Sequence, residues 1–198
     1  MISDGLHDVP PGKVAMVVTH LEMLSQAPVR PVDPPQGLTF EQIRPDLARY
    51  RALFDHVGRD WLWFGRKALA DADLQAILDD PKIIFHTLRK KGKDEALLEL
   101  DFRQDGACEL AYFGLAKSLI GSGAGRYLMN QAISLAWKRP ITRFHVHTCT
   151  LDSAQALGFY IRSGFTPYRQ QIEIEDDPRL TGLLPQGAAA HVPIFGPV

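Results

Sequence analysis

Residues 107–126 read Ala107-Cys108-Glu109-Leu110-Ala111-Tyr112-Phe113-Gly114-Leu115-Ala116-Lys117-Ser118-Leu119-Ile120-Gly121-Ser122-Gly123-Ala124-Gly125-Arg126. The first half alternates and is rich in aromatics, as a half-buried strand is, and an apolar-periodic run follows the glycines, as in a helix. Glycines at that junction let the backbone approach a guest closely and aim N–H groups at it. Where a helix begins, unpaired N–H groups and the helix dipole favour an anion, so a phosphate or pyrophosphate suits the turn. Arg126, in the first helical turn, is placed to add a charged contact. A glycine-rich turn built only for tight strand-to-helix packing accounts for the same residues, so the turn alone does not decide. Two commoner phosphate motifs fail on spacing. A dinucleotide fingerprint counted from Gly121 or Gly123 ends on Arg126 or Leu128 instead of glycine, and no Gly-Lys-Ser/Thr closes a Walker loop.

A second stretch, residues 152–165, reads Asp152-Ser153-Ala154-Gln155-Ala156-Leu157-Gly158-Phe159-Tyr160-Ile161-Arg162-Ser163-Gly164-Phe165. Asp152 or Ser153 is a good N-cap, Gln155 completes a capping box, and Gly164 is placed to close the helix in the left-handed conformation. Tyr160 then falls in the last turn of a short helix packed on a strand from Arg143 to Thr150. A tyrosine there is more often a core residue than a catalyst.

Taken together, the two stretches resemble the GNAT superfamily of acetyl-CoA-dependent N-acyltransferases. The family's cofactor motif, Arg/Gln-x-x-Gly-x-Gly/Ala, aligns with Ile120-Gly121-Ser122-Gly123-Ala124-Gly125, and its preceding apolar position falls on Leu115. The second motif, Asn-x-x-Ala-x-x-x-Tyr-x-x-x-Gly-Phe, aligns with Ser153, Ala156, Tyr160, Gly164 and Phe165. Ile120 stands where the family has Arg or Gln, and Ser153 where it has Asn. The resemblance spans residues 83 to 170 and implies a mixed α/β (α+β) fold, a mostly antiparallel sheet of six to seven strands flanked by helices. It implies a single domain, 1–198, with an acceptor-side half at 14–82, a coenzyme A core at 83–170 and an extended arm at 178–198. The cofactor implied is acetyl-CoA, held by Phe113, Leu115, Ile120, Gly121, Ser122, Gly123, Ala124, Gly125, Arg126 and Ser153. A bulge at Gly114 is expected to splay this strand from the next, so that Phe113 to Leu115 bind the pantetheine arm by strand-like hydrogen bonds.

The chemistry needs a base for the amine, donors for the oxyanion and an acid for the leaving thiolate. Glu109 resembles the strand glutamate that serves several family members as base, and burial is expected to raise its pKa towards neutrality; Glu99 and Asp101 are alternatives. Tyr160 matches the family's acid. The acceptor implied is an amine, on a small molecule or a protein. The rival reading is a coenzyme A binding module or regulatory domain without catalysis.

The remaining composition sets bounds. The chain has 198 residues, 45% hydrophobic and 23% charged, enough for one core, and its net charge of −1 leaves no footprint for nucleic acid or an anionic membrane. Met1 to Lys13 lacks the apolar segment of a signal peptide and no run reaches membrane-spanning length, so a cytoplasmic protein is expected, with a homodimer left open. Cys108 and Cys149 are too few for a disulfide framework, and on the parallel strands the family implies they are expected as free thiols. His145, His147 and Cys149 share a strand face but lack a further ligand-spaced pair, so no metal is assigned; His147 lines the acceptor side in one reading. Trp61, Trp63 and Phe64 form an aromatic cluster suited to core packing or to cradling an ammonium. Val14–Leu24 reads as a first strand, Pro45–Phe54 and Asp71–Leu78 as helices, Lys82–Arg89 and Glu95–Phe102 as strands, and Arg126–Lys138 as the long helix.

Overall fold

The computed structural model describes residues 3–196. At its centre is the strand read from the opening stretch, β6 (Ala107–Leu115), antiparallel to β5 (Ala96–Asp101), with β3 (Ile83–Lys90) and β2 (Thr39–Ile43) continuing the sheet outward. A two-residue strand, β4 (Lys93–Asp94), folds back on the end of β3. On the other side of β6 lie β7 (Arg143–Cys149), β1 (Lys13–Met23) and β8 (Thr166–Asp176), giving the order β2-β3-β5-β6-β7-β1-β8. β6 and β7 form the parallel ladder, and a parallel connection needs a crossover element. That element is α4 (Ala124–Ala136), whose Leu128, Met129, Ala132, Ile133 and Ala136 bury one stripe.

Alternation along the strands divides the core in two. Leu98, Leu100, Leu110, Phe144 and Val146 face α4 and α5 (Ala156–Arg162). Ile83, Phe85 and Leu97 face α1 (Leu47–Gly58) and α3 (Asp71–Asp79), beside the four-residue α2 (Gly65–Ala68). Cys108 and Cys149 are free thiols on the parallel pair.

Several boundaries shift for local reasons. α1 begins after Asp46, whose carboxylate accepts from the Arg49 N–H, so Pro45 precedes the cap. α4 starts two residues earlier than expected, because Gly123 takes φ +86° and turns the chain into it. Gly164 does close α5 in the left-handed region, φ +103°, with Phe165 N–H donating to Tyr160 C=O and Gly164 N–H to Ile161 C=O. Neither Asp152 nor Ser153 caps that helix, which starts after Gln155 without a side-chain cap.

The edge strand β8 and the placement of β1 between β7 and β8, antiparallel to both, have no counterpart in the sequence reading. The expected extended arm is a folded segment instead, and its residues 197–198 lie outside the described ones. Arg179, buried, donates to the Asp177 carboxylate at 2.7 and 2.9 Å and to the carbonyls of Ala188, Val192 and Pro193. One guanidinium thereby gathers the turns that place Leu184, Ala188 and Ala189 against Val14, Met16, Val18, Leu62 and Leu151. Arg179→Met strands a buried carboxylate and should lower unfolding free energy by about 3 kcal/mol in urea titration. Hydrogen bonds from Arg179 hold the Asp177 carboxyl below its ordinary 3.8, so this contribution is present at neutral pH and is lost as pH falls through that lowered value.

Candidate active site

The β6–β7 ladder holds for three pairs, Ala107 with Arg143, Cys108 with Phe144 and Glu109 with His145, after which β6 runs on to Leu115 and β7 to Cys149 unpaired with each other. The sheet is therefore open along one seam. The bulge that accompanies the opening is at Ala111 and not at Gly114: Leu110 and Tyr112 face the consecutive residues Leu100 and Glu99. Gly114 is needed for space. A Cβ there would stand 2.5 Å from Val57 Cγ1 and 2.8 Å from Trp63 Cη2. Trp63 lies against Phe54 and Tyr112, and its indole N–H donates across the seam to Asp152 at 3.2 Å. Asp152 also accepts from Thr148 Oγ1 and the Cys149 N–H, so its carboxylate fixes the end of β7.

The glycine turn sits at the mouth of the seam. Gly121 and Gly123 have φ of +81° and +86°, and nothing lies within 4 Å of where a Cβ would be on either. Among the described residues the N–H groups of Gly121, Gly123, Gly125 and Arg126 have no acceptor, while Ser122 Oγ is turned inward to Leu119 C=O and Ile120 is 56% exposed. Ala124 is buried, and Leu115 packs close to Gly125. Arg126 does not reach into the turn. Its guanidinium donates to Ser163 Oγ and lies over the Phe159 ring, and burial together with Arg30 and Arg162 lowers its pKa. Three guanidinium groups thus collect beside the turn. Ser153, next to Asp152, accepts from the Gln155 N–H at 3.4 Å.

Glu109 and Tyr160 lie on opposite faces of the sheet. Tyr160 belongs to the core under α4, edge-on to Phe113, Phe159 and Phe165, and its hydroxyl makes no hydrogen bond to the described residues. Burial, and then the Asp152 carboxylate, push its phenol well above the ordinary range. Glu109, at the last paired position, faces the other way with His145 and His147. His147 Nδ1 stands 3.6 Å from Glu109 Oε1. That contact overturns the expected upward shift: the close imidazole of His147, outweighing burial, lowers the Glu109 carboxyl, and the same contact raises His147. The alternatives Glu99 and Asp101 are engaged by other groups. Glu99, fully buried, accepts from Tyr50 at 2.6 Å and from Arg66, with burial pushing it up against both, and Asp101 is held down by Arg103 despite burial.

His20 was not foreseen. It lies opposite His147 on β1, ring centroids 5.7 Å apart, with Nε2 2.8 Å from Gln171 Oε1. The expected aromatic cluster also divides: Trp63 enters the core, Phe64 packs under the folded tail, and Trp61 meets His191 at 5.9 Å. Trp61, His191, His56, Asp60, Leu115 and Lys117 line a cavity of about 320 Å³ at the mouth end of β6, six residues along the strand from Glu109.

The molecule is thus a mixed α/β fold whose sheet is opened at its parallel seam, with a glycine turn of unpaired N–H groups at the mouth. The sequence profile of the acetyltransferase (GNAT) family matches residues 50–165, more than half of the chain, and the chain belongs to that family. No curated protein matches it by sequence. In structure it is similar to a GCN5-related N-acetyltransferase from Sphaerobacter thermophilus, with a TM-score of 0.61 and 16% identity, covering 85% of this chain and 53% of that one. It is also similar to a GNAT-family protein from Novosphingobium aromaticivorans DSM 12444, with a TM-score of 0.53, 20% identity and coverage of 84% and 67%. A third is a GCN5-related N-acetyltransferase from Kribbella flavida, with a TM-score of 0.52, 19% identity and coverage of 86% and 63%. The chain thus spans about half the length of the Sphaerobacter protein, and these likenesses bear on the fold. Among the described residues no helix is long and apolar enough to cross a membrane.

Replacing Glu109 with Gln removes the main cause of the raised His147 pKa. The imidazole should then titrate at lower pH, read from its ring-proton resonances by NMR.

Proposed function

We propose that this chain is an acetyl-CoA-dependent N-acetyltransferase that acylates a primary amine by direct attack, the amine and the thioester meeting in the seam between β6 and β7. The observation that carries the reading is the division of proton-handling groups between the two faces at that seam, with Glu109 and His147 on one face and Tyr160, a buried residue whose hydroxyl has no partner among the described residues, on the other. The unpaired N–H groups at Gly121, Gly123, Gly125 and Arg126 fit a pyrophosphate, and Phe113 and Leu115 line the seam a pantetheine arm would follow. Bound there, acetyl-CoA would supply an acetyl thioester activated for transfer.

The chain's own residues handle the protons. Glu109 holds a proton on His147 Nδ1 and leaves Nε2 to take one from the acceptor ammonium, freeing the amine lone pair for attack, as a carboxylate orients an imidazole in a general-base pair. Tyr160, kept protonated by burial, gives its proton to the departing sulfur. Exposed N–H groups of β6 past Glu109 face the seam, where an oxyanion would form. In this reading Glu109 works through His147 and does not itself take the proton.

The first experiment is calorimetric titration of acetyl-CoA and desulfo-CoA, with NAD as control, followed by an amine panel that includes small amines and peptide N-termini. Micromolar binding of both coenzyme A compounds with acetylation of an amine supports the reading; binding without turnover across the panel favours the non-catalytic module, and no binding ends both. Gly123→Val should weaken acetyl-CoA binding by about tenfold or more, because it places a β-branched side chain at φ +86° in the open space over the turn. Tyr160→Phe should lower kcat by about 10² or more. His147 must be neutral to act, so kcat/KM should rise with pH through a value above the ordinary 6.5 of histidine, and this limb should move to lower pH in Glu109→Gln.

A further inference from the structure

β8 ends the sheet, and all eleven of its residues are exposed. Its outer edge presents a row of backbone N–H and C=O groups with no ladder partner among the described residues. The side chains alternate. Arg169, Gln171, Glu173 and Glu175 stand on one face, and Gln170, Ile172 and Ile174 on the face that α4 and α5 cover elsewhere. Alternation of this kind marks a strand with one buried face. Yet Ile172 is 51% and Ile174 46% exposed, next to Val17 at 39% on β1. Leu157 and Ile161, one turn apart on α5, are exposed too, and a hollow of about 260 Å³ lies between Val17, Thr150, Ile172 and Ile174 and the N-terminal residues His7 to Val9.

We infer that β8 pairs antiparallel with β8 of a second copy of this chain, about a two-fold axis at Ile172, so that one sheet continues through both molecules. The charges on the strand select this occupant. Directly opposed residues in an antiparallel pair share a face. A two-fold at Ile172 therefore sets Arg169 opposite Glu175 of the partner subunit, repeated by symmetry, with Gln171 opposite Glu173 of the partner subunit. On the apolar face the two Ile172 side chains meet. An axis at Glu173 would instead oppose that carboxylate to its own copy, which is unfavourable. The strand is thus self-complementary in charge and apolar surface, as an isologous interface requires.

Sedimentation equilibrium of the full chain over a range of concentrations tests this, with circular dichroism to check that each variant is folded. The wild type should form a dimer, Arg169→Glu should self-associate about tenfold more weakly, and adding Glu175→Arg to that variant should restore the wild-type constant. Both positions are fully on the surface, so the pair is not expected to disturb folding. A wild type that stays monomeric throughout, or a folded double variant that fails to recover, overturns the inference. Neither result bears on acetyl-CoA binding.

Discussion

The point at which β6 and β7 stop pairing governs the rest of this structure. A parallel ladder cut off after Glu109 and His145 leaves two half-strands with inward edges that no backbone partner fills. Three local causes hold the seam open. The extra residue at Ala111 adds twist to β6, Trp63 leans on Gly114 from one side, and Asp152 ties the indole and the end of β7 together from the other. Because a parallel pair cannot be joined by a short turn, the chain must leave β6 at its open end and return through α4. The first turn of α4, with its unpaired N–H groups, is thereby brought to the mouth of the gap.

Polar groups around the seam are sorted by what neutralises them. Glu99 and Asp101 on β5 are each met by an arginine, and Tyr50 adds a second donor to Glu99. Those contacts make buried carboxylates tolerable and leave them nothing further to do. Glu109 alone among the three meets a group that can lose its proton near neutrality, and His147 in turn lies beside His20 and His145 and within the fields of Asp152 and Glu173. The carboxylate and the imidazoles therefore share one face, while Tyr160 stands in an aromatic setting on the other.

Local patterns were legible in the sequence, and contacts between distant segments were not. The glycine turn, the helix after it and the left-handed Gly164 are set by residues within a few positions of one another, so their spacing reveals them. Asp152 looked like a helix cap because aspartate beside Ser153 suits that role, but it is claimed by Trp63, 89 residues away. The bulge was expected at the glycine and falls at Ala111, while Gly114 makes room for Trp63 and Val57. Burial alone would raise Glu109; only the pairing of β6 with β7 shows that His147 reverses the sign. His20 joined the site through a strand whose neighbours nothing in its own residues announces. The edge strand could have been found, since Ile172 and Ile174 alternate with the polar Gln171, Glu173 and Glu175.

The insertion of β1 between β7 and β8 also constrains how the molecule is made. Its ladder partners lie 121 to 163 positions further along the chain, from Met23 with Phe144 to Lys13 with Asp176, and closing loops of that length before contacts reward them makes folding slow. β1 is made before either of its ladder partners and must wait, apolar and unpaired, until both flanking strands have been synthesised. During that interval Val14, Met16 and Val18 have no tail to cover them, since the residues gathered by Arg179 follow even β8 in the chain. The half-made chain thus carries an adhesive strand until the tail beyond β8 has been made, and its yield in a cell depends on how well that strand is shielded meanwhile.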